Sequence, residues 1–284
     1  YGLSGISGLG NEAVTISDET SAVNINGILS KTSGVVTATV TSDTAASLNS
    51  ALTNTTGNDA LTLTVTGTAA ATDLTALDGK TSVNVGATAV TTITGTQAQV
   101  VAINVGTITT SGNYAVTLSD TSLSAAAIKT VNTQNGTGAI DISSVTTITS
   151  STAADVLEIV NNTNSTFTTA ANYAVTLSGI SSASDVNTIV NDTTGIVTAT
   201  VTEATAASLN SALANASSTD ALTLTLTDTA LASADDLIAL DGKTSVAVNA
   251  TSVTSVTDTY ADINTLYGLS GISGLGNEAV TISD

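Results

Sequence analysis

Five aspartates stand just after runs of apolar and threonine residues: Asp18, Asp43, Asp120, Asp228 and Asp284. Carboxylate oxygens gathered along one edge of a sheet form a ligand set for a hard divalent cation, and Ca2+ is the ion such a set would take. The same positions suit a second task. An acidic or hydroxyl side chain at a helix start accepts hydrogen bonds from the first N–H groups and meets the positive end of the helix dipole. Capping needs no metal and is the preferred reading. No Gly-Gly-x-Gly-x-Asp run and no EF-hand loop accompanies these aspartates.

Three further patterns have a chemical and a structural reading. Asn-x-Ser/Thr triplets begin at Asn54, Asn135, Asn161, Asn164, Asn191, Asn215 and Asn249, and each would accept a glycan on a secreted chain. So Thr-rich a sequence also produces such triplets by chance. "LDGKT" occurs at 77–81 and 240–244. It follows a helical pattern and lacks the upstream glycine of a phosphate loop. Gly79 and Gly242 therefore read as helix C-caps, with Lys80 and Lys243 beside the negative helix end. Thr62, Thr64 and Thr66, with Thr223, Thr225 and Thr227, alternate with apolar residues. Stacked, they would make flat threonine rows of the kind that bind ice. A solvated strand face explains them more simply, because the motif varies along the chain.

Composition removes most chemistry. The 284 residues contain no Cys, His, Met, Trp or Pro. Thiolate catalysis, Zn–thiolate sites and the commonest general base are absent with them. A carboxylate-only enzyme remains, but such sites usually sit in aromatic-lined clefts, and aromatics are 2% of this chain. The expectation is that it is not an enzyme. A net charge of −19, with four basic residues, excludes phosphate-backbone recognition, so nucleic acid is not an expected partner. No apolar run reaches membrane-spanning length, and no signal-peptide pattern stands at residues 1–18. Acidic chains with few aromatics are often disordered. Here 42% of residues are hydrophobic and they are patterned, so a folded, soluble surface is expected instead.

The elements that would position these residues come from repeats. "GNEAVTISD" at 10–18 and 276–284 is echoed as "GNYAVTLSD" at 112–120 and "ANYAVTLSG" at 171–179. "GVVTATVTSDTAASLNSAL" at 34–52 reappears at 195–213 with few changes, and "DALTLTVTGTA" at 59–69 reappears at 220–230. Residues 1–18 recur unchanged at 267–284, an offset of 266. Period-2 alternation predicts ten strands, beginning with 13–17, 35–41, 60–66 and 82–87. Helical spacing follows: Ala45, Leu48, Leu52; Ala153, Val156, Val160; Ala183, Val186, Val190. The units group as super-repeats 13–114, 115–173 and 174–278, with 267–284 beginning the next copy of 1–18. Repeated strand–helix units of about 27 residues imply an α/β fold, a right-handed strand–helix solenoid. It would have one parallel sheet, short helices on the other side, about ten coils and one continuous core. In the connector, Leu3, Ile6 and Leu9 would line a long corner.

The cadence of "AVTLSDTS", "ALDGKT" and "GISGLGNEAVTISD" resembles tandem repeats in very large secreted and cell-surface proteins of bacteria, especially marine cyanobacteria. The resemblance runs over nearly the whole chain. It implies an extracellular matrix, sheath, motility-associated or adhesive role, and it brings no catalytic residues. The expected function is a structural segment of an extracellular filament or cell-surface fibre. Its partner would be itself, by continuation or end-to-end stacking through open strand edges. The alternative is a calcium-dependent adhesin or surface-layer component, with an ice- or glycan-binding solenoid behind both.

Overall fold

The computed structural model describes residues 8–103 and 106–283. The fold is mixed α/β, built from parallel sheets and short helices; every pairing with a defined register is parallel. The chain falls into two compact units. One comprises Tyr1–Asp120, Ala127–Ser144 and Asn164–Thr168; the other comprises Thr121–Ala126, Val145–Thr163 and Thr169–Asp284.

In the first unit, Val14–Thr15, Val36–Thr39 and Ala60–Thr62 form a three-stranded sheet in that order. A larger sheet runs Phe167–Thr169, whose last residue belongs to the second unit, then Ile140–Ile142, Ala115–Leu118, Val85–Gly95, Thr64–Ala70, with Ile108–Thr110 also beside Val85–Gly95. In the second unit, a five-stranded sheet runs Ala221–Thr223, Val197–Val201, Ala174–Ser181, Thr147–Ser151, Ser122–Leu123. Leu231–Ser233, Ser255–Asp258 and Ala279–Ile282 form another sheet, and Val248–Asn249 pairs with Ile272–Ser273.

The single sheet expected from sequence is thus divided into five. The strand passes bend in the middle: Leu63 separates Ala60–Thr62 from Thr64–Ala70. Val85–Gly95 offers its first residues to Ile108–Thr110 and its last to Ala115–Leu118. Register shifts between Thr64 and Thr66, and between Thr176 and Ile180, bend the passes further. Alternation of apolar residues with Thr reports extended backbone but not where it turns a corner.

The helices begin where hydroxyl caps stand. Thr44, Thr152 and Ser182 accept from the N–H groups of Ser47, Asp155 and Asp185 at the starts of Ala45–Ala51, Ala153–Val160 and Ala183–Asp192. Seven to ten residues are too few for an isolated helix, so these depend on the faces they bury. Those faces are Ala45 and Leu48, Val156 and Ile159, and Val186, Ile189 and Val190. In the first unit Ala45–Ala51 meets Thr64–Ala70, and Val36, Ala38, Val40, Leu61, Leu63 and Val65 are buried between exposed or half-exposed threonines; in the second, Ala153–Val160 meets Ala174–Ser181 and Ala183–Asp192 meets Val197–Val201. Each buried Val or Leu stabilises by about 1.5–3 kcal/mol relative to exposure. Leu9 is exposed rather than lining a corner. Leu3 and Ile6 lie outside the described residues. Among the described residues no helix is long and apolar enough to cross a membrane.

Candidate functional site

The aspartates singled out from sequence do not gather. Asp43 Oδ1 accepts from the N–H of Thr44, the cap of the helix that follows it (2.7 Å). Asp120 Oδ2 instead accepts from Gln97 N–H (2.6 Å), and Asp228 Oδ2 from Ala206 N–H (2.8 Å). Gln97 and Ala206 open the helices Gln97–Ala102 and Ala206–Ala212, which precede these aspartates in the chain. The carboxylate therefore caps the helix of the previous pass, not its own. Asp18 is exposed, and its main-chain oxygen accepts from the Thr20 hydroxyl (3.0 Å). Asp284 lies outside the described residues.

Asp258 follows the same rule as Asp120 and Asp228. It sits in a Thr-Asp-Thr triplet and reaches back to the start of Ala234–Asp241. Its Oδ2 accepts from the Ser233 hydroxyl (2.9 Å) and from Asp235 N–H (3.3 Å), and its Oδ1 from Thr259 N–H (3.1 Å). The serine hydroxyl and these amides hold the Asp258 carboxyl below its usual value. A Ser/Thr-Asp-Thr triplet accompanies this role at 119–121, 227–229 and 257–259, but the same triplet at 42–44 places Asp43 on the cap of its own helix instead.

Among the described residues, three or more carboxylates converge at one place: oxygens of Asp235, Asp258 and Asp262 lie within 4.8 Å of one another. Asp262 is also tied to the cap of Tyr260–Gly268, accepting from the Thr259 hydroxyl (2.5 Å). The charges of Asp262 and Asp258 push the Asp235 carboxyl above its usual value. Chemically, such a trio could share a proton or place three oxygens on one cation. Sequence reading missed it because Asp235, Asp258 and Asp262 are brought together by the strand pairing Ser233↔Thr257.

The deepest polar groups have a structural task. Asp59 Oδ1 accepts from Val36 N–H (2.9 Å) on the preceding strand, and its Oδ2 accepts from Thr56 N–H (2.9 Å) and the Thr56 hydroxyl (3.1 Å). Asp220 repeats this with Val197 N–H (3.1 Å), Ser217 N–H (3.0 Å) and the Ser217 hydroxyl (3.2 Å). The Thr81 hydroxyl donates to Leu61 O (2.8 Å) and accepts from Leu61 N–H (3.0 Å). Thr244 does the same with Leu222 (2.8 and 2.9 Å). Each side chain stitches one strand start to the strand before it, satisfying backbone groups that the bent sheets leave unpaired.

Gly79 and Gly242 are C-caps as expected, in right-handed geometry with φ of −70 and −73°. Lys80 and Lys243 serve different helices from the ones expected. Lys80 Nζ donates to Leu52 O (2.6 Å) and Lys243 Nζ to Leu213 O (2.9 Å), the ends of Ala45–Ala51 and Ala206–Ala212. Thr62, Thr64, Thr223 and Thr227 are exposed, and Thr66 and Thr225 half-buried. Their rows are short: Thr39 pairs with Thr62, but Thr37 pairs with Ala60.

Of the glycan acceptors, Asn54, Asn161, Asn164, Asn191 and Asn215 are exposed. Asn191 and Asn215 line one recess of about 420 Å3. Asn249 is half-buried, its Oδ1 accepting from Thr251 N–H (3.2 Å) and the Thr251 hydroxyl (2.9 Å). Asn135 is fully buried, with its Nδ2 donating to Tyr114 O (3.3 Å) and Gly138 O (2.7 Å). That amide is committed to the fold.

No protein-family model, no curated protein and no solved structure matches the chain.

Proposed function

We propose that the chain is a structural repeat segment of an extracellular filament or cell-surface fibre, folded as a strand–helix solenoid and not an enzyme. One observation carries the reading. Where both copies of the segment that recurs after 266 residues are described, its glycines take the same backbone: φ is +90° at Gly8 and +91° at Gly274, +139° at Gly10 and +130° at Gly276. In both copies a glutamate caps the turn, Glu12 Oε2 accepting from Gly10 N–H (2.7 Å) and Glu278 Oε2 from Gly276 N–H (2.6 Å). A sequence that returns in phase and in conformation is what a periodic assembly requires. The polar groups of the interior support it too, since Asp59, Thr81 and their counterparts are engaged with backbone. The partner is another copy of the repeat. Electron microscopy of native material in negative stain is expected to show thin unbranched fibres; compact particles of 27.7 kDa would overturn the reading.

The calcium-dependent adhesin or surface-layer reading draws its support from Asp235, Asp258 and Asp262. It requires that chelation lower the melting temperature or disperse the material. Unchanged melting in chelator removes it.

A further inference from the structure

The recurring segment is seen with opposite edges in use. In the first copy, Val14 N–H donates to Val35 O (2.9 Å) and Ile16 N–H to Thr37 O (2.9 Å), both toward the strand that follows. In the second copy, Ala279 N–H donates to Thr254 O (2.9 Å) and Ser283 N–H to Asp258 O (3.0 Å), both toward the strand that precedes. Ala279 and Ser283 are the counterparts of Ala13 and Ser17. Along a parallel strand, successive N–H groups point to opposite neighbours. One copy therefore uses the even set and the other the odd set. Val14–Thr15 and Ala279–Ile282 are each the outer strand of a sheet.

Exposure of the side chains agrees. The same motif occurs between two neighbours at Ala115–Leu118 and Ala174–Ser181. There Val116, Leu118, Val175 and Leu177 are 1, 1, 1 and 7% exposed. Val280 and Ile282, with one neighbour, are 46 and 53% exposed.

We propose that residues 274–283 are a joint, a single strand shared by two successive copies of the repeat. Its odd amides stay on residues 254–258 of its own copy. Val280 and Ile282 N–H donate to Val35 O and Thr37 O of the next copy, whose Ser33 N–H and Thr32 hydroxyl reach Gly276 O and Glu278 O. These are the bonds that Gly10 O and Glu12 O accept now, Ser33 N–H at 2.7 Å and the Thr32 hydroxyl at 2.7 Å. The joint needs Gly34, because a Cβ there would lie 2.3 Å from Glu12 O. No bond to residues 254–258 breaks, and two half-covered strands become one covered strand.

The joint rests on the filament reading only in taking the repeats as consecutive. Its test is hydrogen exchange, read residue by residue, on the 284-residue chain and on a two-period chain made of residues 1–266 followed by 1–284. In the shorter chain, Ala279 and Ser283 amides are protected while Val280 and Ile282 exchange freely. In the longer chain, the valine and isoleucine of the joint slow by about 100-fold or more, as for amides freed only when a folded unit opens. Placing Gly34→Val in the second period returns those two amides to fast exchange and leaves the alanine and serine protected. Joint amides that exchange as fast as in the single chain overturn the proposal, as does protection that survives Gly34→Val. Free joint amides beside native fibres would sink the joint and spare the filament; protected amides with compact native particles would do the reverse.

Discussion

Residues 74–103 of one unit and 237–266 of the other follow the same pattern at an offset of 163, yet their helix starts differ in how many carboxylates meet there. Where the second has Asp235, Asp258 and Asp262, the first has Thr72, Gly95 and Gln99. The first version closes a capping box: Thr96 accepts from Gln99 N–H, Gln99 Oε1 accepts from Thr96 N–H (2.9 Å), and the Asp120 carboxylate accepts from Gln97 N–H (2.6 Å). The acidic version reaches the same helix geometry with three converging carboxylates. Away from this rim several bonds recur in both units: Thr81 matches Thr244, Lys80 matches Lys243, and, at an offset of 161, Asp59 matches Asp220. Residues that bind the neighbouring strand's backbone are held; residues that satisfy only one exposed helix start are free to diverge.

The widest test of that division is Asp59→Ala against Asp220→Ala. Each strands a buried strand amide and a turn amide, so each should cost about 3 kcal/mol in denaturant unfolding. A cost under about 1 kcal/mol for either would break the equivalence of the two blocks. Lys80→Met and Lys243→Met come next, each removing one charged donor from a helix end while keeping the aliphatic stem. Each should lower stability by about 1 kcal/mol, again alike.

The smallest effects distinguish the blocks. Because Asp235 is raised by its acidic neighbours, its favourable contribution holds at low pH and is lost as pH rises through its folded value. Asp235→Asn should therefore raise the melting temperature at neutral pH, with the gain vanishing in acid. Asp258 is held low, so its contribution is present at neutral pH and lost as pH falls through its folded value. Asp258→Asn should lower the melting temperature at neutral pH and converge with the parent in acid. In the other block Thr72→Asp has Gly95 and Gln99 where Asp235 has Asp258 and Asp262. It should bring a smaller like-charge penalty than Asp235 bears, and a drop in melting temperature at neutral pH as large as the gain from Asp235→Asn would show that the rim chemistry is not what separates the blocks.

Much of this was legible in the sequence because it is local. Alternation placed the strands, and hydroxyls before apolar spacing placed the helix starts at Ala45, Ala153 and Ala183. The partners were not legible, because they lie one pass away. Asp120 caps the helix at Gln97, 23 residues earlier, and Lys80 reaches Leu52, 28 residues earlier. A window of one helix or one strand cannot contain both ends of such bonds. The acidic trio was hidden for the same reason, since no pair among Asp235, Asp258 and Asp262 stands out by spacing. The division of the sheet was hidden because Leu63 keeps the alternation unbroken through the bend.

The lysine contacts have a consequence beyond each helix end. The chain has four basic residues against 23 acidic ones, and Lys80 and Lys243 are spent on main-chain carbonyls. Neighbouring segments lying side by side would therefore meet as like-charged surfaces, held apart by repulsion that decays over about 8 Å at physiological ionic strength. In the proposed fibre, lateral spacing would then belong to the surrounding electrolyte: dilute water would swell a bundle, and brine would let it draw together.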